Sequence, residues 1–237
     1  MNQKKDSTKS APAGTCILEK CAEEPQLFAL TDDRQTKVQK PQILLHSCCG
    51  PCSTACIERL LGDYDITVYY YNPNIDDPAE YERRKATQMA FLQKFNEEPG
   101  SAGRVSFMEA PYDPERFLEE VKGLEEEPEG GRRCSVCFRL RLQKTAETAS
   151  MLHYDLFGTT LTVSPHKDYA TISAIGKRLG AQYGVSYLDA NFKKKDGFKR
   201  SIELSKKYGL YRQNYCGCRF SKWEGCDEAA EKDKSRE

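Results

Sequence analysis

The chain has 237 residues, a formal net charge of zero and 30% charged residues. This length accommodates one domain of ordinary size with a substantial hydrophobic core. The balanced charge excludes a global field that attracts nucleic acid, so any polyanion contact must come from a local basic surface. No apolar run reaches the roughly twenty residues that span a bilayer, and the first residues lack the apolar stretch of a signal peptide. We therefore expect an intracellular, cytoplasmic protein that does not associate with membranes.

The two ends of the chain differ in composition from its centre. Residues 1–39 are polar with little periodic hydrophobicity, and residues 224–237 are almost entirely charged. Such segments bury too little apolar surface to offset the entropy of ordering, so both are predicted to be disordered. Residues 40–223 are predicted to form a single domain. We expect no obligatory ligand among the cysteines in or beside the terminal segments, which are Cys16, Cys21 and Cys226.

Short strand-like apolar runs alternate with helical patterns along the central segment. Strands are predicted in QILLHSC, ITVYYYNP, RVSFMEAPY, YDLFGTTLTVS and VSYLDANF, and helical patterns separate them. This alternation is typical of a parallel sheet flanked by helices. Because ligands of such sheets collect at the carboxyl ends of strands, near a switch in strand order, functional residues are expected just after the strands.

Most of the eleven cysteines fall into three compact groups, in HSCCGPC, RRCSVC and YCGC. Thiolates gathered from distant segments are typical of iron–sulfur clusters and of structural zinc sites. A disulfide framework is the alternative, but such frameworks belong to short secreted chains. The sequence therefore favours a metal or redox centre. Its candidate residues are Cys48, Cys49, Cys52, Cys134, Cys137, Cys216 and Cys218.

The first cysteine group directly follows the first predicted strand. Gly50 and Pro51 turn the chain into a helix predicted over residues 53–61, and the partial positive charge of a helix N-terminus favours thiolates. Two adjacent cysteines reach one cluster only from an irregular backbone, since successive side chains diverge on a regular strand. The alternative interpretation is a set of small buried hydrophobic residues.

The second cysteine group opens a helix. The three-residue spacing of Cys134 and Cys137 places both sulfurs on one face, as two ligands of a cluster or of zinc require. Arg139 and Arg141 follow on the same helix. They are either solvated charges or groups that neutralise an anionic cluster or a phosphate.

The third group differs in kind, because Cys216 and Cys218 are separated only by Gly217. A disulfide between residues two apart closes a strained and relatively oxidising ring. Glycine removes the side chain that would crowd this ring. The spacing favours a reversible two-electron store, and two further zinc ligands are the alternative.

Polar and basic segments accompany the cysteine groups. The end of the second strand offers Tyr71, Asn72 and Asn74 for stacking and hydrogen bonding to a base, although tyrosine-rich strands are more often core. Asp168, after SPHK, is predicted to cap a helix. A phosphate-binding surface is predicted where positive charge is densest, with a solvated lysine run as the alternative. It comprises Lys193, Lys194, Lys195 and Arg200.

Several motifs together resemble the QueH family of epoxyqueuosine reductases. They are HSCCGPCS, YYYNPNI followed by EYERRK, RCSVCFRLRL with TAETA, TTLTVSPHKD, and the run from NFKKKDGFKR to YCGC. The resemblance implies a Rossmann-like (HUP-like) fold and a catalytic domain over the central segment. It also implies reductive removal of the epoxide oxygen from epoxyqueuosine at the wobble position of tRNA, which is the last step of queuosine biosynthesis.

The resemblance further implies cofactors and residue roles. It places a [4Fe–4S] cluster on Cys48, Cys49, Cys134 and Cys137 and a redox-active disulfide on Cys216 and Cys218. It also implies an additional iron ion, for which Cys52 is the candidate ligand. Lys167 and Tyr215 are the candidate proton donors. The expected partners are an electron donor and tRNA, and the candidate tRNA contacts are Tyr71, Asn72, Asn74, Lys193, Lys194, Lys195 and Arg200.

Two other functions remain open from the residues. An ATP-using tRNA-thiolation enzyme shares the strand–loop–helix architecture, but it needs a glycine-rich phosphate loop where this chain has HSCCGPC. A non-catalytic, zinc-stabilised RNA-binding module would use the same cysteines. The colour of the purified protein distinguishes this module from an iron–sulfur enzyme, because zinc thiolates do not absorb visible light and iron–sulfur clusters do.

Overall fold

The computed structural model describes residues 40–99 and 105–221. Predictions about residues 1–39 and 224–237, and therefore about Cys16, Cys21 and Cys226, lie outside the described residues. The described strands are β1 (Gln42–His46), β2 (Asp65–Tyr70), β3 (Val105–Glu109), β4 (Leu156–Thr159) and β5 (Ser186–Tyr187). They form one parallel sheet in the order β3-β2-β1-β4-β5, which confirms the predicted Rossmann-like α/β class.

Within the described residues, six α-helices connect or follow the strands. They are α1 (Gly50–Leu60), α2 (Pro78–Glu97), α3 (Pro114–Glu120), α4 (Arg132–Met151), α5 (Tyr169–Tyr183) and α6 (Gly197–Tyr208). Short 3-10 turns follow β4 at Thr160–Val163 and end the described chain at Arg219–Ser221. None of the helices in the described ranges is long and apolar enough to cross a membrane.

The central strand β1 divides the core into two layers. Ile43 and Leu45 point to the face that α1, α2 and α6 cover, whereas Leu44 points to the face covered by α4 and α5. All three side chains are fully buried. This arrangement follows from the two-residue period of a strand that is covered on both faces.

Local sequence signals start and stop several helices. The Asp77 side chain accepts a hydrogen bond from Ala79 N at the start of α2, and Asp168 accepts one from Thr171 N at the start of α5. The second contact confirms the predicted cap. Helix α5 ends at Gly184, whose φ of 65° lies in the left-handed region that glycine adopts freely.

Three elements differ from the sequence prediction. Helix α1 begins at Gly50 rather than at Ser53, because Pro51 fits the first turn of a helix. The strand predicted in YDLFGTTLTVS is confined to β4, and Thr160–Val163 forms a 3-10 turn. Helix α6 was not predicted, because its dense lysines dominate the pattern. It packs Leu204 and Tyr208 into the core.

The strand order reverses beside β1, between β1 and β4. In an open parallel sheet, the carboxyl ends of strands at such a switch form a crevice in which ligands bind. His46 ends β1 and Thr159 ends β4, and the two residues are paired in register. The residues that follow His46 therefore enter this crevice.

Candidate metal and redox centre

His46 links the two strands at the switch point. Its Nε2 donates to the Tyr71 carbonyl oxygen at 3.1 Å, and its Nδ1 accepts from the Thr159 hydroxyl at 2.9 Å. Burial, reinforced by the nearby Arg141 charge, lowers the pKa of His46 to about 3. The imidazole is therefore neutral, and its contacts fix the backbone that leads into the cysteine loop.

The cysteine loop is also tied to the end of β2 and to α2. The Asn72 side-chain amide donates to the Ser47 carbonyl oxygen at 2.9 Å. The Ser47 hydroxyl donates a hydrogen bond to Gln88 Oε1 at 2.8 Å. These three side chains are almost completely buried. The irregular backbone that two adjacent cysteines require is thus held by side-chain hydrogen bonds.

The first thiol group consists of Cys48, Cys49 and Cys52, and its sulfurs all lie within 4.8 Å of one another. Hydrogen bonds from Cys49 and from Cys52, helped by the charges of Lys167 and Arg141, lower the pKa of Cys48 well below its usual value. Donation to Cys48 raises the pKa of Cys49 to about 12. Three sulfurs this close together, one of which favours the thiolate form, are a donor set that could hold a metal ion.

The second thiol group combines the second and third cysteine groups of the sequence and lines one cavity. It consists of Cys134, Cys137, Cys216 and Cys218. The first two come from the start of α4, and the last two come from the C-terminal segment. Burial raises the pKa of Cys137 to about 12 and also raises the pKa of Cys218. All eight cysteines of residues 40–99 and 105–221 are free thiols.

Arg141 links the two thiol groups electrostatically. Its side chain is only 1% exposed and lines the cavity of the second thiol group. Burial opposes the charge, but electrostatic interaction with the facing sulfurs of Cys137, Cys216 and Cys48 raises the pKa of Arg141. Nη2 has no hydrogen-bond partner within the described part of the chain. A buried guanidinium with a free donor indicates a site built for an anion.

The two arginines that the sequence grouped together therefore have different environments. Arg139 lies partly exposed and pairs with Glu120 at 2.6 Å. Arg141 supports the alternative in which an arginine neutralises an anionic centre.

The C-terminal segment packs against the first thiol group and α2. Gln213 Nε2 donates to Cys49 Sγ at 2.9 Å. Arg84 donates to the carbonyl oxygens of Cys216 and Tyr215 at 3.1 and 3.3 Å. These contacts bring residues from the two ends of the domain together at one site.

The turn between the last two cysteines depends on Gly217. Its φ of +114° lies where side chains are strained. A Cβ atom at this position would lie 2.9 Å from Ile75 Cγ1 and 3.0 Å from Arg84 Nη1. The glycine therefore permits both the backbone conformation and the close approach of Arg84.

The candidate proton donors differ in their surroundings. Lys167 is half-buried, and although burial opposes its charge, electrostatic interaction with the sulfurs of Cys216, Cys48 and Cys52 raises its pKa. Burial raises the pKa of the half-buried Tyr215 to about 12. Both groups therefore carry a proton at neutral pH, and Lys167 faces both thiol groups.

The candidate tRNA contacts fall into two sets. Tyr71, Asn72 and Asn74 are buried, and the Tyr71 hydroxyl donates to Asp113 at 3.3 Å. The basic residues lie at the surface, where Lys194 and Lys195 are exposed and Arg200 pairs with Glu58 at 2.8 Å. A role in tRNA contact stays a prediction for both sets.

Sequence reasoning did not single out four residues that organise the site. They are His46, Glu80, Arg84 and Gln213. The i,i+4 spacing of Glu80 and Arg84 indicates a helix ion pair, but nothing in the local pattern shows that this pair is buried. Only the packing of the C-terminal segment reveals it.

The fold and the site define a thiol-rich α/β protein whose cysteines surround buried cations at the switch point of a parallel sheet. Residues 43–224 match the family described as "Epoxyqueuosine reductase QueH". The chain therefore belongs to the QueH family, and it is an oxidoreductase.

Individual relatives agree with this assignment. The "Epoxyqueuosine reductase QueH" of Streptococcus pyogenes serotype M1 is 47% identical over 189 residues, which cover 79% of this chain and 73% of that protein. The protein of the same name from Thermotoga maritima is 33% identical over 197 residues, which cover 82% of this chain and 97% of that protein. Family membership favours the reductase that the resemblance implies over the two other functions that remained open from the residues.

Replacing Gly217 should separate backbone strain from crowding. We expect Gly217→Ala to lower the free energy of unfolding by about 2–3 kcal/mol, because it combines strain with a collision. Gly123 is the matched control, since its φ is +82° but a Cβ there meets nothing within 4 Å. Gly123→Ala should cost only about 1 kcal/mol. Equal losses in urea unfolding would contradict the close packing of Arg84 on the turn.

Proposed function

We propose that this protein reduces epoxyqueuosine at the wobble position of tRNA to queuosine. The observation that carries the proposal is the convergence of two thiol groups from three chain segments on the buried charge of Arg141. The names of the relatives specify epoxyqueuosine reduction for those proteins. A dense set of thiols with compensating cations suits this chemistry, which consumes electrons and protons.

The balance of the reaction defines what the residues must provide. Converting the epoxide to an alkene breaks two carbon–oxygen bonds, takes up two electrons and two protons, and releases water. When the Cys216 and Cys218 thiols form a disulfide, they release two electrons and two protons. The stoichiometry of one dithiol therefore matches one epoxide, and an external reductant must restore the dithiol.

Thiolate sulfurs are the ligands that a [4Fe–4S] cluster requires. Cys48, Cys49, Cys134 and Cys137 would hold it, and Cys134 packs against the hydrophobic cluster that contains Cys48 and Cys49. Such a cluster with four thiolates is an anion, and the free Nη2 of Arg141 offers a donor for one. When bound, the cluster supplies electrons one at a time. Cys52 would then be available for an additional iron ion.

A side chain that carries a proton beside the thiols would protonate the departing oxygen. Lys167 is the stronger candidate, because it stays charged while facing Cys48, Cys52 and Cys216. Tyr215 adjoins the redox pair in sequence, and its ring lies 5.1 Å from the Arg84 guanidinium carbon. A cation near a developing alkoxide stabilises it and then transfers its proton.

The basic loop before α6 is the proposed tRNA surface. Lys193 Nζ donates to the Lys167 carbonyl oxygen at 2.5 Å, so the loop is attached to the segment that carries a candidate proton donor. Arg59 donates to the carbonyl oxygen of Lys195 at 2.7 Å, which fixes the loop against α1. Phosphates bound here would place the anticodon arm beside the crevice. The reaction also needs an electron donor.

Ligand substitution tests the cofactor. Cys48→Ala, Cys49→Ala, Cys134→Ala and Cys137→Ala should each lose most of the bound iron and the activity on epoxyqueuosine-containing tRNA, because each opens one corner of the cluster. Cys56→Ala is the control, since Cys56 is buried in the core cluster on α1. Iron and acid-labile sulfide per chain are the measurements. Full iron loading in the four variants would refute the ligand set.

Substitution of the third cysteine group tests the two-electron store. Cys216→Ser and Cys218→Ser should retain the visible spectrum of the cluster but lose multiple turnover, because neither variant can form the disulfide. Alkylation and mass spectrometry after a single turnover should find two fewer reactive thiols in the wild-type protein. If both thiols remain free after turnover, the electrons come from elsewhere.

Charge removal tests the RNA surface. Neutralising Lys193, Lys194 and Lys195 together should weaken tRNA binding and reduce the slope of log K against log salt by about 2, because fewer counterions are released. Iron content should not change. Neutralising Lys122, Lys177 and Arg178, which are exposed on other elements, provides the charge-matched control. An unchanged slope in the first variant would move the RNA surface elsewhere.

A further inference from the structure

The guanidinium of Arg84 lies directly against the turn that carries the third cysteine group. Its side chain is only 1% exposed. Nη1 donates to the Cys216 carbonyl oxygen at 3.1 Å, and Nη2 donates to the Tyr215 carbonyl oxygen at 3.3 Å. The guanidinium also lies over the Tyr215 ring. The two terminal nitrogens of one rigid group therefore hold two consecutive peptide units.

The other side of Arg84 is fixed by Glu80. Arg84 Nε lies 2.6 Å from Glu80 Oε1, and the two residues are one helical turn apart on α2. The Tyr211 hydroxyl also donates to the Glu80 carboxylate. Because the carboxylate is itself almost completely buried, it has few alternative positions. A planar guanidinium bound on both sides is a preorganised fork rather than a flexible contact.

The turn depends on this fork for its shape. Gly217 has a φ of +114°, and Nη1 occupies the space into which a side chain at that position would extend. Both Cys216 and Cys218 are free thiols in this geometry, and both line the cavity with Cys134 and Cys137. Cys218 is only 7% exposed.

We propose that Arg84 is a positioning residue for the redox pair, which holds the Cys216–Gly217–Cys218 turn in the dithiol geometry with both thiols inside the cavity. The inference rests on the proposed function only for the claim that this pair is redox active. In this proposal, oxidation of the pair forms one sulfur–sulfur bond, breaks two S–H bonds, passes two electrons and two protons to the epoxide, and changes the shape of the turn that Arg84 binds. Since Arg84 binds the dithiol shape of the turn, it favours return to the reduced state.

Alkylation of the fully reduced iron-loaded protein tests the positioning directly. Arg84→Gln should raise the rate of Cys218 alkylation by about tenfold or more, because two hydrogen bonds from a charged donor are lost. Cys56 is the internal reference, since it is completely buried away from the turn. Arg83→Gln is the matched control, because Arg83 is the neighbouring residue on α2 and stacks on Tyr211 at 3.5 Å while exposed to solvent. It should react like the wild type.

Arg84→Lys provides the second variant in case Arg84→Gln loosens the whole domain. Lysine retains the charge opposite Glu80 but lacks the planar fork, so faster Cys218 alkylation with Cys56 still protected supports the proposal. Wild-type alkylation rates of Cys218 in Arg84→Lys overturn it, as do wild-type rates in a folded Arg84→Gln.

Equilibration with reduced and oxidised glutathione adds a readout that loss of structure alone does not give. The disulfide-to-dithiol ratio of the Cys216–Cys218 pair should rise by about tenfold in Arg84→Lys relative to wild type, because the dithiol turn loses its fork. An unchanged or lower ratio overturns the inference. If the wild-type pair forms no disulfide at any glutathione ratio, the proposed two-electron role fails, and alkylation alone decides the role of Arg84.

Discussion

The site depends on the compensation of negative charge by buried cations. Thiolates cost much free energy in an apolar interior unless positive charge lies beside them. That charge comes from the buried Arg141 on α4, from the buried Arg84 on α2 and from the half-buried Lys167 in the segment after β4. Each cation interacts with cysteines that belong to segments of the chain other than its own. The same charges that permit the thiols to be buried therefore also hold the three cysteine segments around one centre.

The parallel sheet provides the frame on which this compensation is built. His46 and Thr159 end adjacent strands at the point where the strand order reverses, and their hydrogen bond spans the crevice. The cysteine loop begins one residue after His46 and enters the N-terminus of α1. Because the backbone on both sides is buried and hydrogen bonded, the two adjacent cysteines keep the irregular conformation that places both sulfurs together. The rigid strands thus position a loop that has no regular structure of its own.

Much of this organisation was predictable from local patterns. Strand–helix alternation predicted the sheet, Asp168 predicted the start of α5, and the spacing of Cys134 and Cys137 predicted a helix with both sulfurs on one face. Helix α6 was missed, because its lysines gave the segment the appearance of a solvated charge run. The buried pair of Glu80 and Arg84 was not predictable either, since an i,i+4 ion pair has the same sequence pattern whether α2 is exposed there or covered.

The sequence by itself determined the fold class, the family and the cysteines that are candidates for the centre, because hydrophobic period, turn residues and cysteine spacing are local properties of the chain. Tertiary structure alone decided which cations and amides surround those cysteines. Gln213 reaches Cys49 across 164 positions, and Arg84 reaches the Cys216 carbonyl oxygen across 132. Contacts at such separations arise from the packing of whole elements, and no local pattern encodes them. Arg139 and Arg141 differ for the same reason. Arg139 forms an ion pair at the surface with Glu120 on α3, whereas Arg141 lines the cavity of the second thiol group. Only the packing of the surrounding elements decides which of the two arginines is buried.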